Sequence, residues 1–326
     1  MTRKFYAVVL CALSLLCVLP VGAHAQYPNR PIRLIVPFAA GGGVDLMARL
    51  AAQALSEELK ENVIVENQPG ASGTLATMNV AKADPDGYTL MFHTTSSSVI
   101  NAVTFTNLKY DPLKALVPVT LVSQFPLAVF TYPELPAKNM AKFVALLKAN
   151  PGKYNYGSSG YGSIVHLGAE LFKSLAHVDI KHIPYKGNAP ALTDLLAHRI
   201  EMIIDGVPPQ VANVEAGKIR ALAVTTAKRS EKLPNVPTMI ESGIAGYELS
   251  FWTAIFAPAG TPKPIVDLIA SKLGDAMKKQ KLVARMKDLG ADGIGSSPEA
   301  LDRFWHQEID RYRKIVETSG IRLEVN

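Results

Sequence analysis

The chain has 326 residues, of which 48% are hydrophobic and 19% are charged. This composition supports a large buried core and excludes an intrinsically disordered, collagen-like or coiled-coil chain. After Leu19 no apolar run approaches the roughly 18 to 20 residues that cross a bilayer, so the sequence predicts a globular rather than an integral membrane protein.

The first 25 residues have the three parts of a bacterial export signal. Arg3 and Lys4 form a positive region, an apolar stretch follows at residues 7–19, and Ala23-His24-Ala25 forms an A-x-A cleavage site. The apolar stretch is too short for a membrane anchor. The sequence therefore predicts a periplasmic protein that is cleaved after Ala25, which leaves 301 residues to fold.

The cysteine and charge content of the mature chain limit the sites and binding partners that it can have. Cys11 and Cys17 both lie in the predicted signal, so the mature chain can form neither a disulfide nor a thiolate site. Removing Arg3 and Lys4 from the 34 basic residues leaves 32 against 28 acidic residues, a net charge of +4. No cluster of Lys and Arg alternates with aromatic residues, so we expect no nucleic-acid partner, whereas a weakly positive field favours a small anion.

Strands and helices alternate along the mature chain. Strands are predicted at 32–38, 62–66 and 88–93, with helices at 44–60 and 72–83. After a proline-punctuated stretch, a second set has strands at 154–157, 180–184, 201–205 and 219–225 and helices at 139–149, 164–175 and 189–198. A C-terminal helix is predicted from the spacing of apolar residues between Leu301 and Val316. This rhythm is typical of an α/β fold with a doubly wound sheet, whose ligands bind beyond the carboxyl ends of the strands.

Two apolar stretches are placed to connect two lobes. They are 119–122 with 127–130, and 250–256. We predict that the chain leaves lobe 1 near Val122 and returns to it near Trp252, so that lobe 1 contains residues 26–122 plus 252–326 and lobe 2 contains residues 123–251. Two strand crossovers then form a hinge, and a fold of this kind closes on a ligand in its cleft.

Segment 37–45, Pro-Phe-Ala-Ala-Gly-Gly-Gly-Val-Asp, joins the first strand to the first helix. Glycines at such a junction let backbone N–H groups point outward at a helix N-terminus, which favours an anion. Leu46 stands where a dinucleotide fingerprint needs its third glycine, and no Gly-Lys-Ser/Thr follows to make a P-loop. Asp45 either caps the helix or contacts a ligand, and both roles can coexist.

The run Thr94-Thr95-Ser96-Ser97-Ser98 follows the third predicted strand. We expect a loop here that faces the cleft, where hydroxyls donate to carboxylate oxygens. An ordinary solvated loop is the alternative.

The segment 156–166 repeats the strand, glycine-serine loop and helix order in the second half. It is not a G-x-S-x-G nucleophile elbow, because Tyr161 stands where the last glycine belongs. His166 either donates to an anion or holds the loop through a structural hydrogen bond. An exported serine hydrolase that uses Ser159, His166 and Asp205 is the enzyme alternative.

Four further candidates are charged or titratable. Lys186 lies at a strand-to-helix junction, where it is either a charge partner for a ligand or a solvated lysine. Asp205 ends a predicted strand, where a carboxylate accepts from a ligand or fastens a cleft loop. His177 and His182 have no third ligand at metal spacing, so we predict no metal site.

These segments together resemble the Bug family, the periplasmic substrate-binding proteins of tripartite tricarboxylate transporters. The segments that carry the resemblance are Tyr27-Pro28 with Pro31-Ile32, Pro37-Phe38 with Gly41-Gly42 and Asp45, and the stretches 66–71, 84–90, 156–166, 184–187, 220–224 and 257–262. The resemblance covers essentially the whole mature chain. It implies a two-lobed periplasmic binding protein of the Venus-flytrap, type II-like kind, whose cleft holds one carboxylate of an organic anion through backbone amides and ordered waters.

The resemblance also implies a set of ligand-binding residues in both lobes. They are Phe38, Ala40, Gly41, Gly42, Asp45, Thr94, Thr95, Ser96, Ser159, Gly160, Ser163, His166 and Asp205, with Phe251 as a further match. No catalytic residue, metal or cofactor is implied, and the expected partners are the membrane subunits of a tripartite tricarboxylate transporter or a sensor kinase. A closing two-lobed receptor needs no second subunit, so we expect a monomer.

The prediction from the sequence is a periplasmic solute-binding protein that captures a small carboxylated anion and performs no bond chemistry. The hydroxyl-rich run mildly favours a polar dicarboxylate or hydroxy acid as ligand. The effector domain of a transcription regulator shares this lobed architecture, but the export signal and the lack of a helix-turn-helix segment argue against it.

Overall fold

The structure is a computed structural model that describes residues 27–105, 107–288 and 290–319. The predicted export segment lies outside these residues. Within these ranges no helix combines the length and apolar character that a membrane crossing requires.

Ten strands in the described part of the chain form one mixed sheet. They are β1 (Ile32–Val36), β2 (Val63–Asn67), β3 (Thr89–Thr94), β4 (Leu116–Thr131), β5 (Asn155–Ser158), β6 (Lys181–Pro184), β7 (Met202–Gly206), β8 (Arg220–Val224), β9 (Ser250–Pro258) and β10 (Asp292–Gly293). The spatial order is β2-β1-β3-β9-β4-β7-β5-β6, and β8 and β10 also pair with β4.

The sheet contains two parallel groups, β1 to β3 and β5 to β7. Between them, β9 pairs antiparallel with β3, and β4 pairs antiparallel with both β9 and β7. Because β4 pairs on one part of its length with β9 and on the other with β7 and β8, it belongs to both groups. The carboxyl ends of the parallel strands are where an α/β sheet binds its ligands.

The helices cover the sheet. They are α1 (Gly43–Leu59), α2 (Thr74–Ala81), α3 (Asn101–Thr104), α4 (Met140–Ala149), α5 (Ile164–Ala176), α6 (Asn188–Leu196), α7 (Val207–Glu215), α8 (Lys263–Ala276), α9 (Gln280–Asp288) and α10 (Pro298–Ser319). A 3-10 turn (Ala71–Gly73) precedes α2, and a π-helical turn (Thr95–Ile100) precedes α3.

The C-terminal helix α10 packs one apolar face onto the sheet. Leu301, Trp305, Ile309 and Tyr312 are buried at helical spacing, which confirms the predicted packing stripe. The Trp252 indole N–H of β9 donates to the Glu308 carboxylate at 3.1 Å. This hydrogen bond therefore joins α10 to β9, near the middle of the sheet.

The predicted βαβ order is confirmed in both groups, with element ends shifted by a few residues. Three expectations need correction. The runs 119–122 and 127–130 are parts of one continuous strand, β4, and helices α7, α8 and α9 have no counterpart among the individually predicted helices. The run from Thr94 to Ser98 is no loop, because it ends β3 and continues into the π-helical turn, with all five side chains buried. The lobe bounds 26–122 plus 252–326 and 123–251 stay a prediction.

Buried histidine makes the fold sensitive to acid. His93 in β3 is fully enclosed, its Nδ1 lies 2.8 Å from Ser97 Oγ, and its ring meets Phe256 edge-on. Burial lowers the pKa of His93 to about 3. In the unfolded chain the same imidazole takes up a proton below about pH 6.5, so the unfolded state binds more protons as the pH falls.

We therefore expect the free energy of unfolding to fall, because of His93, by about 1.4 kcal/mol for each unit by which the pH is lowered between pH 6.5 and 4. His93→Asn keeps a polar partner for Ser97, and should reduce the pH slope of unfolding by about one proton while lowering stability at neutral pH. The measurement is urea unfolding at a series of pH values, with exposed His306→Gln in α10 as the control. An unchanged slope in His93→Asn would contradict this assignment.

Candidate functional site

A cavity of about 40 Å³ lies where the carboxyl ends of the two parallel groups meet; we call it the inner cavity. The lining residues come from segments that follow or end β1, β3, β5, β6 and β7, and from β4, β9 and helix α5. They are Phe38, Ala39, Gly42, Gly43, Val44, Ser96, Phe125, Leu127, Ser159, Ile164, Val165, Gly187, Asn188, Asp205, Gly206 and Phe251. The position agrees with the general rule for ligand sites in α/β sheets.

The amino termini of four helices contribute to this lining. Gly42 and Gly43 begin α1, Ile164 and Val165 begin α5, and Gly187 with Asn188 begins α6. The fourth is Gly206, the residue before α7. First-turn N–H groups have no acceptor within their own helix, and each helix start carries about half a positive charge. The inner cavity is therefore suited to an anion.

Asp45 holds the glycine loop in shape without lining the inner cavity. Its carboxylate accepts from the Gly41 N–H at 3.0 Å, from Arg49 Nε at 3.0 Å and from Asn67 Nδ2 at 3.0 Å. Burial raises the pKa of Asp45, but these hydrogen bonds outweigh it and leave the pKa below its ordinary value. Gly41 has φ of +86°, a conformation that favours glycine. Asp45 does not cap α1, because the N-cap is Gly42 and has no side-chain cap hydrogen bond, and a contact of Asp45 with a ligand stays a prediction.

Asp205 is the one charged side chain among the described residues that line the inner cavity. Its carboxylate accepts from Asn188 Nδ2 at 2.5 Å, from the Gly206 N–H at 2.7 Å and from Gln210 Nε2 at 2.7 Å. Burial raises the pKa of Asp205, and the three donors oppose that shift. Through these hydrogen bonds the carboxylate links the starts of α6 and α7 at the cavity wall.

In the hydroxyl-rich run at residues 94–98, side-chain hydroxyls form hydrogen bonds that stabilise secondary structure. Thr94 and Ser97 form a reciprocal cap at the start of the π-helical turn. Thr95 Oγ1 accepts from the Trp252 N–H at 3.0 Å, and Ser98 donates to the Thr94 carbonyl at 2.8 Å. Of the five residues, only Ser96 lines the inner cavity.

Two hydrogen bonds join the halves of the molecule around the inner cavity. The Ile164 N–H at the start of α5 donates to Ser96 Oγ at 2.9 Å. Ser72, in the 3-10 turn before α2, donates its hydroxyl proton to the Tyr161 carbonyl. Both bonds link segments that follow β1 to β3 with the loop that follows β5, so the described conformation is one in which the two halves are in contact.

The histidines of the second half stack away from the inner cavity. The rings of His166 and His182 are 4.0 Å apart, with the edge of Tyr161 against both. His166 Nδ1 accepts from the Gly162 N–H at 3.2 Å, and His182 Nε2 lies 2.6 Å from Ser158 Oγ. Burial lowers the pKa of His166 to about 4 and that of His182 to about 3, so both are neutral at pH 7.

The hydrolase arrangement does not form in the described residues. No hydrogen bond there joins Ser159 to His166, whose Nδ1 is occupied by Gly162. Two serines do meet a histidine ring, Ser97 at His93 and Ser158 at His182, and both serines are buried. His182 Nδ1 has no acceptor to orient it. A general base in a serine triad needs such an orienting partner.

A second, larger cavity of about 640 Å³ adjoins the first; we call it the outer cavity. Phe38 and Ser159 line both cavities, so the two spaces meet at these side chains. The other lining residues are Pro37, Gly70, Ala71, Ser72, Phe105, Gly160, Tyr161, Pro184, Tyr185, Lys186 and Pro190.

The structure brings some of the predicted ligand residues to these cavities. Those that line the inner cavity are Phe38, Gly42, Ser96, Ser159, Asp205 and Phe251, and Gly160 lines the outer cavity. Seven others do not line either cavity; these are Ala40, Gly41, Asp45, Thr94, Thr95, His166 and Ser163, the last of which caps α5. Ala40 and Gly41 are exposed, while the side chains of the other five are buried.

Several lining residues were missed by the sequence reasoning. Phe125 and Leu127 lie in β4, and no local pattern distinguishes the face of a buried strand that meets a cavity. Asn188 and Gly206 begin helices, and here a signal was available. Prolines in the first turn of α7, after the Asp-Gly end of β7, are typical of a helix start.

The fold and this inner cavity define a two-lobed periplasmic binding protein. The profile of the "Tripartite tricarboxylate transporter family receptor" family matches residues 47–321. The chain therefore belongs to this family of receptors. A curated relative, Protein BugT of Bordetella pertussis, is 35% identical over 306 residues, which is 94% of each chain.

Solved structures support the same assignment. The periplasmic binding protein BugD is 35% identical, with a TM-score of 0.87 over 91% of this chain and 99% of that one. Rpa4515 of R. palustris, solved with adipate, is 36% identical with a TM-score of 0.88 over 91% and 99% of the two chains. MatC of Rhodopseudomonas palustris, solved with malate, is 31% identical with a TM-score of 0.85 over 89% and 100%. The resemblance to Bug proteins and the two-lobed α/β fold class are confirmed.

Gly42 offers a direct test of the inner cavity. A Cβ at this position would have only the Ala39 carbonyl oxygen within 4 Å, at 3.9 Å, and φ is −85°. We expect Gly42→Ala to leave stability unchanged or raise it by about 0.4 to 1 kcal/mol. The added methyl group should fill part of the small inner cavity and weaken carboxylate binding by about tenfold or more.

Isothermal titration and thermal melts measure both effects. The matched control is Ala40→Ser, which adds one heavy atom to an exposed neighbour that does not line the inner cavity. Equal affinity of Gly42→Ala and the wild-type chain would show that ligand does not occupy this space.

Proposed function

We propose that this protein captures a small carboxylated organic anion, with one carboxylate in the inner cavity. The observation that carries the proposal is the convergence of four helix amino termini, at Gly42, Ile164, Gly187 and Gly206, on one small space. The only charged side chain of that lining, Asp205, already accepts three hydrogen bonds from the protein.

The energies available are sufficient for such a ligand. A micromolar dissociation constant corresponds to about 8 kcal/mol. Charge-assisted hydrogen bonds contribute about 1.5 to 3 kcal/mol each, and each helix amino terminus adds about 0.3 to 1 kcal/mol. Backbone N–H groups and a few hydroxyls can therefore hold a carboxylate without an arginine.

The relatives support a carboxylate. Rpa4515 was solved with adipate and MatC with malate, and both ligands are dicarboxylates. These two proteins share the fold of this chain along nearly its whole described length. The relatives differ in ligand, so the shared fold supports the carboxylate class rather than one compound.

The proposal also covers the cellular location of the receptor and its protein partners. Its family consists of transporter receptors, and its solved relatives are periplasmic. We propose export to the periplasm, cleavage after Ala25, and delivery of the ligand as a monomer to the membrane subunits of a tripartite tricarboxylate transporter or to a sensor.

A thermal-shift panel tests the proposal. The mature chain, from Gln26 onward, is unfolded and refolded to remove carried-over ligand and is then melted with mono-, di- and tricarboxylates, amino acids and aromatic acids. A ligand at 100 times its dissociation constant adds about 2.7 kcal/mol, which corresponds to a rise in Tm of about 5 to 10 °C for this chain length. We expect such shifts for a few carboxylates only.

The corresponding diamides are the matched controls, because they keep the shape and lose the charge. Equal shifts with acid and diamide, or no shift with any acid, would contradict the proposal. Hydrolysis of a generic ester that disappears in Ser159→Ala would establish the enzyme alternative instead.

A further inference from the structure

The inner cavity holds only one end of a ligand. A buried water needs at least about 10 to 15 Å³ of such space. The 40 Å³ of the inner cavity therefore admits about three water-sized groups, the number of heavy atoms in one carboxylate. The rest of any larger ligand must lie outside this space.

The outer cavity is the space into which the ligand continues. It has about 640 Å³ and meets the inner cavity at Phe38 and Ser159. The side chains of Phe105, Tyr161 and Tyr185 contribute aromatic surface to its wall. Such a wall suits a methylene chain, because aromatic faces pack against apolar groups.

The outer cavity carries positive charge on a side chain. Among the described residues that line it, Lys186 is the only lysine, arginine or acidic residue. Within the described ranges, no carboxylate lies within 4.0 Å of the Lys186 ammonium group. Lys186 differs in this respect from the lysines and arginines that form most of the ion pairs in these ranges. Lys186 also directly precedes Gly187 and the positive amino terminus of α6.

We infer that the outer cavity binds the second carboxylate of an elongated dicarboxylate, with Lys186 as its charge partner. This inference rests on the proposed function, since the first carboxylate occupies the inner cavity. The chain between the two carboxylates passes Phe38 and Ser159 and lies along the aromatic wall. The protein then selects dicarboxylates over monocarboxylates of equal length through one side chain.

The test compares adipate with its monoamide, which has the same length and shape but carries charge at one end only. Isothermal titration gives both dissociation constants for the wild-type chain, Lys186→Gln and the control Lys181→Gln. Lys181 is an exposed lysine of β6 that does not line either cavity. We expect adipate to bind the wild-type chain and Lys181→Gln about fivefold or more tightly than the monoamide.

In Lys186→Gln that ratio should fall to about one, while the affinity for the monoamide stays within about twofold of wild type. An unchanged ratio in Lys186→Gln would show that Lys186 is an ordinary solvated lysine and would overturn the inference. Equal binding of adipate and monoamide by the wild-type chain, or exclusion of adipate while shorter acids bind, would overturn it too. Failure of every carboxylate to bind would instead reject the proposed function.

Discussion

The antiparallel pairing of β4 with β9 is the constraint on which the rest of the molecule depends. β4 is 16 residues long, and it pairs with β9 from Leu116 to Pro126 and with β7 from Leu127 to Phe130. A buried hydrogen bond of 2.8 Å between the hydroxyls of Ser123 and Thr253 joins the two strands near the point where the partner changes. The register of β4 with β9 shifts just before this point, and such irregularities increase the local twist of a strand.

That strand pair fixes where the two parallel groups end. Phe125 and Leu127 of β4 and Phe251 of β9 contribute apolar side chains to the inner cavity, and segments after the parallel strands supply much of the remaining lining. The helices that begin there aim their amino termini at one space, so the backbone itself supplies the positive potential. Two buried carboxylates, Asp45 and Asp205, hold this arrangement through backbone and side-chain donors. Neither carboxylate is left without hydrogen-bond donors, which limits the energetic cost of burying it.

Local patterns were sufficient for most of the fold and for part of the site. The strand, glycine loop and helix at 32–60 combine β-branched residues, glycines and helical periodicity, so the prediction needed no tertiary information. The hydroxyl run was misinterpreted because its composition matches a loop. Its Thr94 and Ser97 are spaced three residues apart, as in a helix cap, and that spacing was the better guide. For Phe125 and His166 nothing local decides between a cavity and the core, because that choice depends on packing between distant segments.

The most direct measurement is a crystal structure of the mature chain with its tightest-binding dicarboxylate. The account predicts one carboxylate in the inner cavity, with its oxygens bound directly or through one water to first-turn N–H groups of α1, because the Ile164 N–H of α5 already donates to Ser96 Oγ. A ligand found only in the outer cavity or on the surface, with the inner cavity holding only water, would contradict the claim that converging helix amino termini bind the anion.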